Sequence, residues 1–131
     1  MEVEPLQITS CLFSTVVLHA YFLECSSYHH MFLAVTVFSI WFHCTHNSTV
    51  AVIDKILAHL AFLMVLLEIP KTLRSGKWYL IAFPFMVLCI WILECIYFEH
   101  RFEIHVWLHV VTLLGLHCFL IELHGKGYYY L

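Results

Sequence analysis

The chain has 131 residues, 63% of them hydrophobic and 11% charged, with a formal net charge of -3. Soluble proteins carry about 25% charged residues, and a core of this size cannot hide so much apolar surface; with a mean hydropathy of +0.89, the composition makes lipid the solvent for most of the chain. No basic tract suggests nucleic acid, and the acidic start Met1-Glu-Val-Glu-Pro5 argues against a cleaved signal peptide.

The length fits one transmembrane domain over residues 1–131. The first apolar run covers about 6–23, with Pro5 suited to a first helical turn. Glu24 to His30 is polar enough for a loop, and its Ser26 and His30 are four residues apart. The second run, about 30–46, is short for a span and ends in the turn His46-Asn-Ser-Thr49. Asn47-Ser-Thr49 also matches a glycosylation acceptor. A third run covers 50–69, with Pro70 as its stop. Lys71 to Lys77 is the clearest hydrophilic loop.

The fourth run, about 78–98, contains Pro84, which is expected to kink it or expose a carbonyl. Glu99-His-Arg101 turns the chain into the fifth run, about 102–123, and Gly125 to Tyr130 reads as an interfacial aromatic tail. In lipid every backbone polar group must be satisfied within its own segment, so these runs are helices. The expected fold is all-α, a polytopic membrane bundle of five transmembrane helices. Six cysteines without a C-x-x-C pair read as small buried hydrophobes.

Ionisable groups inside such runs are costly unless they are paired or coordinate something. Ser39 and His43 are four residues apart and so share a helix face, about 6 Å apart along the axis. Asp54 lies in the first turn of the third helix, and His105 and His109 repeat the four-residue spacing at the start of the fifth. With five spans, the end of helix two and the starts of helices three and five fall on one side of the membrane, so all five residues meet at one depth. Ser26 and His30, the rival Ser-x-x-x-His pair, fall on the opposite side.

Taken singly, each histidine reads as a packed imidazole, Ser39 as a hydroxyl bonded to its own helix and Asp54 as a helix N-terminal charge. Taken together, three neutral imidazoles form the open ligand set of a catalytic zinc ion. His46 is a spare ligand candidate. Glu94, near the same end of helix four, is expected to snorkel to the interface, with a pocket role as the alternative. His59 is expected to face another helix, and His19 and His117 to bond neighbouring helices.

Lys71, Arg74, Lys77 and Lys126 lie on the face away from the site, whereas the site face carries Glu2, Glu4, Glu99 and Glu103 against only two basic residues, Lys55 and Arg101. The positive-inside rule then puts the site on the lumenal or exterior side of an endomembrane or the plasma membrane.

The joint pattern resembles the CREST membrane hydrolases, which group the alkaline ceramidases, the adiponectin receptor (PAQR) family and the GPI-lipid-remodelling families. Their Ser-x-x-x-His, following Asp and terminal His-x-x-x-His correspond to Ser39 and His43, to Asp54, and to His105 and His109. The eleven-residue step from His43 to Asp54, Phe42 before His43, and Trp107 within the histidine pair are similar to the ceramidase form. The family fold has seven helices where five are counted here. The acidic N-terminal segment by which ceramidases bind calcium has no counterpart.

The resemblance implies a zinc-dependent hydrolase of a lipid amide or ester, with zinc held by His43, His105 and His109 and its bound water attacking the carbonyl. Asp54 is then expected to orient or deprotonate that water or to fix a histidine tautomer, and Ser39 to donate to the oxyanion. Two other classes fit the residues: a lipid-binding receptor or pseudoenzyme with structural zinc, and a membrane protein whose paired histidines clamp haem.

Overall fold

The computed structural model describes residues 4–73 and 79–125, with side chains omitted at 71–73, Tyr79, His124 and Gly125. Among the described residues it is an all-α bundle of five helices: α1 (Pro5–Phe22), α2 (Ser26–Thr45), α3 (Ser48–Leu73), α4 (Tyr79–Ile96) and α5 (Arg101–Gly125). A single 3-10 turn, Phe98–His100, joins the last two. Arg74, Lys77, Trp78 and Lys126 to Leu131 lie outside the described residues, as do the first three. The basic residues of the orientation rule and the aromatic tail therefore fall largely outside them.

The connections are tight for identifiable reasons. Pro5 opens α1, where its missing N–H leaves nothing unsatisfied. At the other end Glu24 adopts a left-handed φ of 59°. There the Cys25 N–H donates to the Ala20 carbonyl and the Glu24 N–H to that of Tyr21, the paired bonds of a Schellman cap.

Between α2 and α3, His46 (φ 53°) ends the first helix by donating its N–H to the Phe42 carbonyl. Asn47 starts the second helix, its Oδ1 accepting from the N–H groups of Thr49 and Val50 at 2.9 and 3.2 Å. Two residues thus reverse the chain. The last turns of α2 are brought beside the first turns of α3.

Helix α2 begins at Ser26, earlier than its hydropathy suggests. His30 Nδ1 donates to the Ser26 carbonyl at 2.6 Å, so the polar segment satisfies its own backbone, and Tyr28 is buried. Helix α3 runs through Pro70 to Leu73. The proline removes one N–H but does not end the helix, contrary to the expected stop. Pro84 likewise sits inside α4.

α1 packs on α2 and α5, α2 on α3, and α4 on α5, while α3 touches α4 and α5 only lightly. α4 and α5 meet closely at Gly115, where a Cβ would overlap the Phe83 ring. The apolar core joins α1, α2, α3 and α5 around Val16, Ala20, Tyr28, Phe32, Val65, Phe119, Leu120 and Leu123. It occupies the end of the bundle holding the α1–α2 turn and the last turns of α3 and α5.

Three helical segments, Pro5–Phe22, Ser48–Pro70 and Phe98–Leu123, are long and apolar enough to cross a membrane. α4 contributes a shorter apolar helix, Leu80–Ile96, and α2 carries Thr36, Ser39 and His43 on its inner face. Large apolar side chains such as Phe22, Leu67, Phe85 and Trp107 are exposed on the outside of the bundle. None of the six cysteines forms a disulfide; Cys25 is buried, but Cys11, Cys44, Cys95 and Cys118 are exposed rather than packed inside.

Candidate metal centre

The end of the bundle opposite the core gathers polar groups from all five helices. Ser39 and His43 lie in the last two turns of α2, His105 and His109 in the first three turns of α5, and Asp54 on α3. His43 and His109 are buried and His105 is half-buried. One ring nitrogen from each of the three histidines lies within 4.8 Å of the other two. Ring centroids stand 5.6 Å apart for His43 and His105, 5.3 Å for His43 and His109, and 4.6 Å for His105 and His109.

The donors fit a metal ion. Imidazole nitrogens about 2.1 Å from one tetrahedral zinc would stand about 3.4 Å apart, so small ring rotations close the present spacing. An independent sign is His43 Nε2, which is buried with no hydrogen-bond partner among the described residues. A buried polar atom left unpaired costs about 1–3 kcal/mol. A shared cation would satisfy it.

The neighbours of the triad come from helices that the sequence motifs do not include. Thr9 Oγ1 on α1 lies 2.8 Å from His109 Nδ1. Ser10 Oγ, also on α1, lies 3.0 Å from Ser39 Oγ. Gln7 Nε2 donates to the His43 carbonyl at 3.1 Å, satisfying one of the orphan carbonyls at the end of α2. On α4, both carboxylate oxygens of Glu94 lie 3.0 Å from His105 Nδ1.

Glu94 therefore turns inward to an imidazole instead of snorkelling to the interface as expected. The reason is local: α4 packs along α5, and the 3-10 turn between them folds Glu94 back onto His105. The only sequence sign of this was an acid near the same end as the histidines.

Ser39 bonds across to Ser10 rather than to its own helix. Asp54 is half-buried and within electrostatic reach of His105 and Lys55. Because α3 starts at Ser48, Asp54 stands in its second turn.

The remaining candidates lie elsewhere. His46 is exposed, caps α2 and stacks edge-on to Phe42, so it stays outside the triad. His30 bonds its own helix away from the cluster, which removes the rival pair with Ser26. His59 donates to the Lys55 carbonyl and meets Trp91 of α4 edge-on. His19 and His117 bridge α1 and α5 through their Nδ1 atoms at 2.9 Å, and Thr15 Oγ1 lies 2.9 Å from His117 Nε2.

No protein-family profile, no curated protein and no solved structure matches this chain.

Proposed function

We propose that the chain is a multi-pass membrane hydrolase of the CREST type, acting on a lipid amide or ester with zinc held by His43, His105 and His109. The observation that carries this reading is the convergence of three imidazole nitrogens within 4.8 Å, together with a buried His43 Nε2 that has no partner among the described residues. Convergence on one point favours a single ion over haem, which is clamped between two ligands on opposite faces of a flat ring.

When bound, zinc would supply a Lewis acid that lowers the pKa of a water molecule to about 7 and polarises a carbonyl. The rest of the chemistry belongs to the chain. Ser39 Oγ is paired with Ser10 Oγ; with the Ser10 hydroxyl donating to Ser39, the Ser39 proton is free for the carbonyl oxygen as negative charge develops there. Asp54 is the carboxylate that accepts a proton from water and returns it to the leaving amine or alcohol. An acyl chain approaches from lipid between helices, because α3 is lightly packed against α4 and α5.

All five helices span in this reading, α2 being kept in the bilayer by burying its polar residues inward. The site faces the lumen or the exterior, following the distribution of Lys and Arg.

The test is fatty-acid release from acyl-amide and acyl-ester lipids by zinc-loaded protein in mixed micelles. Wild type releases fatty acid, and Asp54→Ala keeps its zinc but loses about 10²–10⁴-fold in rate, the usual worth of a positioned acid–base group. Zinc without turnover in the wild type would instead support a lipid-binding receptor or pseudoenzyme.

A further inference from the structure

Two of the three imidazoles are held by neighbours that dictate where their protons sit. A neutral histidine has one N–H and one lone pair, and a metal ligand must present the lone pair. The Glu94 carboxylate can only accept, and both its oxygens are 3.0 Å from His105 Nδ1. His105 Nδ1 therefore carries the proton and Nε2 the lone pair.

Thr9 gives the same answer by a different route. Its hydroxyl has one proton, and the backbone carbonyls of Pro5 and Leu6 stand 3.1 and 3.2 Å from Oγ1 to accept it. With the proton on one of those carbonyls, Oγ1 accepts from His109 Nδ1 at 2.8 Å. In that arrangement His109 Nδ1 is the donor, and its Nε2 presents the lone pair.

We propose that Glu94 is the positioning residue of the metal centre: its carboxylate fixes the His105 ring with Nδ1 protonated and Nε2 directed at the ion, as Thr9 does for His109. This rests on the metal reading above and assigns Nε2 as the ligand atom of both α5 histidines. The two anchors differ in kind. Glu94 offers two acceptor oxygens on a carboxylate, whereas Thr9 offers a single neutral hydroxyl oxygen.

The experiment uses the full chain in detergent micelles, as wild type, Glu94→Gln and Glu94→Met. Helical content is checked by circular dichroism, zinc chloride is titrated, and the ¹⁵N shifts of the His105 ring are read on metal-free protein, with His105→Ala supplying the assignment. The wild type shows a protonated Nδ1 at His105. Glu94→Met, which keeps bulk but has no carboxylate, loses that single tautomer and about 10–100-fold in zinc affinity. Glu94→Gln keeps the tautomer, because its amide oxygen still accepts, and loses less affinity.

If the wild type takes up no zinc, the metal reading falls and takes this proposal with it. If the wild type takes up zinc and Glu94→Met matches it in tautomer and affinity, the proposal alone is overturned. Should the Met variant fail to fold, the Gln variant decides, and zinc affinity equal to wild type there also overturns it.

Discussion

The two ends of the bundle are built on opposite principles. At one end Val16, Ala20, Phe119, Leu120 and Leu123 are wholly or almost wholly buried, and their contacts are non-directional. At the other, the buried residues include Thr9, Ser10, Ser39, His43 and His109, each tied to a named atom of another helix or converging with other imidazoles. Buried polar groups are expensive unless they are paired, and in lipid association between helices depends on packing and hydrogen bonds. The apolar end can therefore hold the fold. The polar end is stable only if its groups are satisfied, and one of them, His43 Nε2, has no partner among the described residues.

The division can be broken first at the apolar end. Phe119 is fully buried and meets Tyr28 edge-to-face at 5.4 Å. Phe119→Ala is expected to cost about 3–5 kcal/mol of stability through the cavity it leaves. Unfolding in detergent by denaturant titration measures this, and the zinc stoichiometry of the protein still folded should be unchanged. Loss of metal in the folded variant would mean that the two ends are not separable.

At the polar end, Ser39→Ala is expected to lower turnover by about 10²–10³-fold, the worth of one oxyanion donor. Its stability should fall far less than that of the Phe119 variant, because Ser10 is left with an unpaired hydroxyl but no cavity forms. Steady-state rates set beside unfolding curves separate the two effects. Equal losses of rate and stability would make Ser39 a structural hydroxyl.

The smallest effect lies at the turn that joins α2 to α3. Asn47→Ala removes the cap that accepts from Thr49 and Val50 and should cost about 1 kcal/mol. Because this turn sets His43 beside α3, zinc affinity should weaken slightly as well. A thermal shift with no change in affinity would show that the turn supports the fold but not the site.

The helices were legible because long apolar runs leave the backbone no alternative in lipid. The meeting of His43 with His105 and His109 was legible too, since a four-residue spacing fixes a helix face and the two helices between them, α3 and α4, return the chain to the same end of the bundle. The partners of those histidines were not. Gln7, Thr9 and Ser10 sit on a helix whose polar residues, Ser14 and Thr15 among them, are spread around it, so no periodic stripe marks the face that meets α2 and α5. Glu94 was visible as an intramembrane acid, but its direction depends on how the 3-10 turn folds α4 against α5. The start of α2 at Ser26 and the passage of α3 through Pro70 were missed for a related reason. Hydropathy and proline report local cost, whereas the start of α2 depends on the His30–Ser26 bond and on burial of Tyr28, and α3 forgoes only one N–H at Pro70.

The most direct test of the central claim is elemental analysis of the purified protein, as wild type and as the double variant His105→Ala with His109→Ala. Near-stoichiometric zinc in the wild type and none in the folded double variant is the predicted result. A wild type that folds and carries no zinc, or a double variant that keeps it, would contradict the assignment of the three histidines to one metal ion.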